Sequence, residues 1–280
     1  MAHSYSSTTA PGYIEPLIWR VRHSPKFRML TVARICDPTR RMRRITFTGD
    51  ELAGFVSSGF DDHVKLFFPR SGEDQPARPA IGGDGRNIWG ENRRPPARDF
   101  TPRRHDAAAG ELDIEFVLHD DGPATRWAVK ARQGLRLGLG GPRGSFVISA
   151  AFDWHVLIGD ETALPAIGRR LEELPASAQA FVVAEVANAN EQLPFMSNAT
   201  LDVKWVHRDG DRPGWVEGLD RAARALRPPP GQGFTWIAAE TAVAKHLRQS
   251  LIEKGFDKRW LRASGYWKQG SEATHDMHGD

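Results

Sequence analysis

Arg98-Asp99-Phe100-Thr101-Pro102-Arg103 brings a fixed cation, a flat ring and a hydroxyl into one short stretch. These groups suit a phosphate, a planar ring and a ring nitrogen of a single ligand, although an ordinary basic strand edge has the same composition. His119-Asp120-Asp121-Gly122-Pro123-Ala124-Thr125-Arg126-Trp127-Ala128 reads as a strand end, a tight turn and a helix start. Free backbone N–H groups at a helix start attract anions, and Thr125 and Arg126 add a hydroxyl and a charge. The alternative is a plain strand-to-helix connection with Trp127 in the core. Gly159-Asp160-Glu161-Thr162-Ala163-Leu164-Pro165-Ala166 follows a short apolar strand and opens a helix, where an open parallel sheet meets a nucleotide. A simple acidic helix N-terminus is the other reading of Asp160 and Glu161. Ala238-Ala239-Glu240-Thr241 ends a later strand in the same way and faces the same crevice. Gly138-Leu139-Gly140-Gly141-Pro142-Arg143-Gly144 leaves backbone open to close approach, but it lacks the strand-then-helix order of a dinucleotide fingerprint. There is no hydrolase nucleophile elbow and no HExxH, and the ten histidines show no paired metal spacing, so no metal site is expected.

The chain that must position these groups has 280 residues, enough for one large domain or two ordinary ones. It is 40% hydrophobic and 26% charged, which excludes a disordered or collagen-like chain. Charge interrupts every apolar run well before the length a membrane helix requires, so no span is expected. No secretory signal is visible, and the single Cys36 permits no internal disulfide, both of which fit a reducing cytoplasm. The formal charge of +3 does not demand a nucleic-acid partner, and no stacking-aromatic or helix-turn-helix pattern accompanies the arginine clusters. Each cluster, at 40–44, 93–104 and 126–143, reads equally well as solvated surface charge, but three of them in the first half point to a cationic pocket or face there.

Residues 30–35, 42–48, 63–68, 112–118 and 135–139 alternate or carry short apolar runs as half-buried strands do. A short helix is expected over 123–133 and a long surface loop over 71–97, rich in Gly, Pro, Asn and Arg. The first half is therefore an antiparallel β-barrel. From residue 155 apolar strands (155–159, 180–186, 203–207, 234–239) alternate with helices (164–174, 215–226, 241–254), the pattern of a parallel α/β sheet. The expected division is a loosely held lead-in over 1–28, a barrel over 29–148 and an α/β domain over 149–280.

The order of the motifs resembles the siderophore-interacting protein family, flavin-dependent ferric-siderophore reductases related more distantly to ferredoxin-NADP reductases. The resemblance covers residues 29–270. It rests on Arg98-x-Phe100-Thr101-x-Arg103, His119-x-x-Gly122-Pro123-Ala124-x-x-Trp127-Ala128, Gly141-Pro142-Arg143-Gly144-Ser145, the 159–166 segment, Ala239-Glu240 and Ala263-Ser264-Gly265-Tyr266-Trp267-Lys268-x-Gly270. It implies an FAD-binding barrel followed by an NAD(P)H-binding-like α/β domain. Arg98 would pair with the FAD pyrophosphate, Phe100 pack along the flavin, and Thr101 approach flavin N5 as the residue nearest the chemistry. His119, Thr125 and Trp127 would lie around the adenine and diphosphate. The family pattern has tyrosine where Phe100 stands, so one hydrogen bond is lost and the stacking surface kept.

The resemblance further implies that Gly159, Asp160, Thr162 and Pro165, with Glu240 opposite, form the floor that accepts the nicotinamide nucleotide. This loop is acidic where ferredoxin reductases have glycines, which leaves NADH, NADPH and ferredoxin all open as electron donor. Lys65, Arg143 and Lys268 would form a cationic mouth for an anionic ferric siderophore. The implied activity is reduction of chelated Fe(III) to Fe(II), which releases iron in the cytoplasm because the weaker Fe(II) fit unlocks hard oxygen ligands. A general NAD(P)H-flavin reductase and a non-enzymatic siderophore-binding module are the competing readings.

Overall fold

The computed structural model describes residues 17–83, 87–91, 93–119, 122–270 and 276–278. Most of the expected lead-in, the tip of the 71–97 loop and Asp120-Asp121 of the turn before the first helix lie outside the described residues.

In the first half the chain forms β1 (Ile18–Arg22), β2 (Phe27–Cys36), β3 (Met42–Thr48), β4 (Val64–Phe67), β5 (Ala80–Ile81), β6 (Asn87–Ile88), β7 (Ala97–Phe100), β8 (Pro102–Asp106) and β9 (Glu111–Val117). The helix α1 (Pro123–Lys130) follows, then β10 (Arg136–Gly140) and β11 (Gly144–Ile148). Seven of these strands make one antiparallel sheet in the order β7-β4-β10-β2-β3-β9-β8. Apolar side chains on alternate positions, among them Leu30, Ile45, Phe47, Leu66, Leu112, Ile114 and Leu137, fill its interior. Its two edge strands, β7 and β8, are consecutive in the chain and joined by Thr101 alone. Thr101 therefore stands at the seam where the sheet curls back on itself.

The second half is β12 (Trp154–Gly159), α2 (Leu164–Glu173), β13 (Gln179–Val186), β14 (Thr200–His207), α3 (Val216–Ala225), β15 (Gly233–Glu240), α4 (Thr241–Glu253), β16 (Leu261–Trp267) and β17 (Asp276–His278). The sheet order is β14-β13-β12-β15-β16-β17, with β12 to β16 parallel and β17 antiparallel. Strand β12 is buried along its whole length, as a central parallel strand covered on both faces must be. The chain reverses its direction of sheet growth between β12 and β15, so a crevice opens at their carboxyl ends.

The halves are packed together. Met42, Phe60 and Ile148 of the first half share an apolar cluster with Leu164, Ile167, Leu171 and Trp236 of the second. Arg169 on α2 reaches across, donating to Ser57 Oγ at 2.8 Å, to the Ser57 carbonyl at 2.9 Å and to the Pro102 carbonyl at 3.0 Å. Pro102 adjoins Thr101, so this arginine also anchors the barrel seam.

Several details depart from expectation. Residues 18–22, placed in the loose lead-in, form β1 and pair with β11 from Ile18–Ile148 to Arg22–Gly144. Its partner lies more than a hundred residues away, so local pattern could not reveal it. Helix α1 ends at Lys130, not 133, because Ala131 turns extended with ψ 139°. The 71–97 segment is not a bare loop: β5 and β6 pair within it, and Trp89 packs on Phe27 and Phe67 with centroids 5.9 and 5.2 Å away.

Candidate functional site

A cleft of about 470 Å³ separates the halves, within the size of small-molecule sites. Arg98, Phe100 and Thr101 line one wall. Pairing of β7 with β4 (Leu66–Arg98, Val64–Phe100) sets their direction. Phe100 leans on Phe116 with ring centroids 4.6 Å apart, so its own ring is held from behind. Arg98 donates to the Ala97 carbonyl at 2.9 Å, and Thr101 is buried at the seam.

Gly122, Pro123 and Ala124, at the start of α1, continue this wall, with the exposed His119 beside them. Gly122 has φ 138°, a turn open to glycine and strained for other residues, and no side chain caps the helix. In the same turn Thr125 is buried and its Oγ1 has no hydrogen-bond partner. A buried hydroxyl without a partner is costly. Thr125 itself does not line the cleft, unlike Gly122, Pro123 and Ala124 of the same turn; a phosphate oxygen drawn to this helix start would satisfy its hydroxyl, so the residues present fit a dinucleotide's diphosphate. Trp127 is placed differently from the expectation that it borders a cofactor. It does not line the cleft but lies in the barrel core, 6.1 Å from Phe47 in a near-parallel stack and 5.9 Å from Phe116. Ala124, Trp127 and Ala128 share one face of α1, the one packed on the barrel core, and only the first residues of the helix reach the cleft.

The opposite wall is made by strand ends. Asp160, Thr162, Pro165 and Glu161 line the cleft, whereas Gly159 and Glu240 do not. Gly159 is a packing residue: a Cβ there would meet the Ala163 Cβ at 2.3 Å and the Ala238 carbonyl at 2.5 Å. Asp160 is buried, and its carboxylate accepts from Thr162 N at 2.9 Å, Thr162 Oγ1 at 2.5 Å, Glu240 N at 3.1 Å and Trp267 Nε1 at 2.8 Å. Burial pushes its pKa upward against those donors. Glu240 caps α4 through Ala242 N and Val243 N and also accepts from Gln269 N. Both carboxylates are thus engaged in tying β12, β15 and β16 together.

The floor holds a charge cluster that sequence reading missed. Arg208, just after β14, is 4% exposed. Its guanidinium donates to Glu161 at 2.6 Å and to Glu185 at 3.1 Å. Burial first, and nearby Asp160 second, push the Glu185 carboxyl up to about 8. Glu185 Oε2 is buried without a hydrogen-bond partner. The available signal was a lone acid inside the otherwise apolar strand β13.

Of the expected mouth residues, Lys268 is exposed and lines the cleft. Lys65 is ion-paired with Asp99 at 2.7 Å and Arg143 is exposed beside the chain reversal at 141–142, and neither lines the cleft. Among the described residues no group of three or more His, Cys, Asp or Glu is placed to hold a metal ion.

A barrel joined to a parallel sheet, with a helix start facing a crevice at the strand ends, is the fold of ferredoxin reductases. The chain belongs to the siderophore-interacting protein family: the model described as siderophore-interacting FAD-binding domain matches residues 31–146, and that described as siderophore-interacting protein matches 152–270. It is a flavin-dependent oxidoreductase with FAD as cofactor. A relative from Escherichia coli K12, "NADPH-dependent ferric-chelate reductase", is 35% identical over 89% of this chain and 95% of its own. "Ferric vibriobactin reductase ViuB" of Vibrio cholerae is 34% identical over 89% of this chain and 93% of its own. The crystal structure of a siderophore utilization protein from T. fusca superposes with TM-score 0.85 at 38% identity, covering 92% of this chain and 98% of the other.

Proposed function

We propose that this protein reduces Fe(III) held by a siderophore to Fe(II) in the cytoplasm and thereby frees the iron. The observation that carries the reading is the facing of two dissimilar walls: Arg98, Phe100, Thr101 and the α1 start on one, and the strand ends with Lys268 on the other. Bound FAD supplies the exchange between a two-electron hydride donor and one-electron acceptors. One NAD(P)H then serves two ferric chelates.

The protein's own groups bind and orient. Arg98 supplies a fixed charge to the pyrophosphate, the α1 start and Thr125 supply N–H and O–H donors to the diphosphate, and His119 borders the adenine side. Phe100 gives the flavin a flat apolar neighbour, and Thr101 offers its hydroxyl to N5. Trp127 acts from the core by backing the α1 turn. Pro165, Thr162 and the 159–161 turn shape the bed for the nicotinamide, while Asp160 and Glu240 hold that bed in form. Lys268 draws in anionic chelates, assisted at longer range by Lys65 and Arg143. Hard oxygen ligands fit Fe(II) far less well than Fe(III), so electron transfer alone loosens the chelate. The exposed free thiol of Cys36 suits a reducing compartment, and no helix among the described residues is long and apolar enough to cross a membrane.

The test is stopped-flow absorbance on the purified yellow protein. Bleaching by NADH, NADPH or reduced ferredoxin identifies the donor, and rapid return of colour on adding a ferric siderophore supports the reading. Recolouring by oxygen or free flavin alone, with no response to any ferric siderophore, would instead indicate a general flavin reductase. Thr101→Val should slow these steps while leaving FAD retention within about twofold.

A further inference from the structure

Three neighbouring strands end in the same way on one face of the parallel sheet. Ile158, Val183 and Val206 share an apolar cluster with side chains of α3 and α4. Two residues beyond each of them, where alternation returns to the same face, stand Asp160, Glu185 and Arg208. All three are buried and line the cleft. The ladder between β13 and β14 runs on past the strand, with Arg208 N donating to the Val186 carbonyl at 3.1 Å. Asp209 then takes φ 46°, the one non-glycine residue in the left-handed region among the described residues. Such strain persists where the surroundings enforce it. The reversal it makes returns Pro213 and Gly214 to the cleft. Arg208 is thus held between a strand ladder and a strained turn.

On this floor the single cation is already engaged. Arg208 donates to Glu161 at 2.6 Å and to Glu185 at 3.1 Å, with Asp160 as a third acid on the same floor. The other arginine and lysine side chains that line the cleft, Arg41, Arg98 and Lys268, stand on the barrel wall or just past β16. Glu185 Oε2 is buried with no hydrogen-bond partner, a costly state that a donor on a ligand would relieve. A hydroxyl suits this carboxyl in both of its states, since it can donate to the carboxylate and accept from the neutral acid. A phosphate oxygen has no proton to give the carboxylate, and a ribose phosphate brings nearly two negative charges to a floor of acids.

An acid near the carboxyl end of the second strand of a nucleotide-binding sheet is placed to meet ribose hydroxyls. Strand β13 is second in the chain order of this sheet, beside β12, and Glu185 is its penultimate residue. We propose that Glu185, with Arg208 and Glu161, reads the ribose of the electron donor and selects NADH over NADPH: the unpartnered carboxyl oxygen takes a ribose hydroxyl, and the guanidinium, held by two acids, is not released to a ribose phosphate. The inference rests on the reading that a nicotinamide dinucleotide lies along these strand ends.

The experiment titrates the FAD-loaded protein with NAD+ and with NADP+ by calorimetry, and compares flavin bleaching by NADH and NADPH in stopped flow. The parent should bind NAD+ at least roughly tenfold more tightly than NADP+. Glu161→Gln weakens the hold on Arg208, and Glu185→Gln removes the acid while keeping an amide oxygen for the hydroxyl. Each should narrow the gap roughly three- to tenfold, mainly by tightening NADP+, with NAD+ affinity within about threefold of the parent. Equal or tighter binding of NADP+ by the parent would overturn the proposal. So would a gap that neither substitution moves, which would make the cluster a structural one. A protein that binds neither nucleotide, while reduced ferredoxin bleaches its flavin, would overturn this inference and leave the reductase reading standing. A colourless protein unable to take up FAD would overturn both together.

Discussion

The indole N–H of Trp267 donates to Asp160 Oδ2 at 2.8 Å, joining the last residue of β16 to the turn that leaves β12. The same carboxylate oxygen accepts from Glu240 N at the end of β15. The carboxyl ends of three parallel strands are thus fixed to one buried acid, which sets the shape of the cleft wall before any nucleotide arrives. Trp267→Phe keeps an aromatic ring, gives up part of the indole's bulk and deletes this donor, leaving a buried carboxylate short of one partner. We expect a loss of about 1–3 kcal/mol in unfolding free energy, read from urea midpoints. An unchanged midpoint would mean that the strand ends do not depend on this bond.

Thr125 gives a prediction with opposite signs in two measurements. Its buried Oγ1 has no hydrogen-bond partner, so Thr125→Val, which keeps the shape, should leave the flavin-free protein as stable as before or slightly more stable. The same change should weaken FAD by roughly tenfold, the equivalent of one charge-assisted hydrogen bond. Fluorescence titration and thermal melting of the apoprotein check the two arms. Unchanged FAD affinity would remove Thr125 from the diphosphate site.

Glu185 makes stability depend on pH in an unusual direction. Its carboxyl is raised to about 8 by burial and by Asp160. Between the ordinary carboxylate range and pH 8 the folded chain keeps a proton that the unfolded chain has released. Stability contributed by this group therefore falls as pH rises through that window and levels off above it. Glu185→Gln removes the titration while leaving an amide oxygen for Arg208. Melting temperature between pH 5 and 9 should decline less steeply in this variant than in the parent, and parallel curves would show that Glu185 is ionised in both states.

Much of the fold was legible because its signals are local. Alternation at 42–48 and 112–118 marked β3 and β9, and apolar runs at 155–159 and 234–239 marked the buried strands β12 and β15. The site was legible only where one short segment carries it, as with Arg98, Phe100 and Thr101. The burial of Arg208 was not legible because its partners Glu161 and Glu185 lie 47 and 23 residues away in the chain. Trp127 could be assigned to core or cofactor from its motif, and only its stack on Phe47 decides for the core. The bulge that brings both Tyr266 and Trp267 to the cleft is a feature of pairing between strands that no single segment displays.

Lys268 carries the last prediction. It is the one expected mouth residue that lines the cleft, whereas the ammonium of Lys65 is already paired with Asp99 at 2.7 Å. Charge attracts in proportion to what is not locally neutralised, and in water a unit pair several ångströms apart interacts by about 1 kcal/mol or less before screening. Lys268→Glu changes two charge units, so KM for an anionic ferric siderophore should rise roughly three- to tenfold at low ionic strength. Lys65→Glu should have a smaller effect. Added salt should shrink the difference between variant and parent, because an exposed charge is screened within about 10 Å at 0.1 M. A neutral ferric chelate of similar size should show no change in KM with either variant. Equal responses to the anionic and neutral chelates would mean that Lys268 acts by contact or by shape, and the electrostatic account of substrate capture would fall.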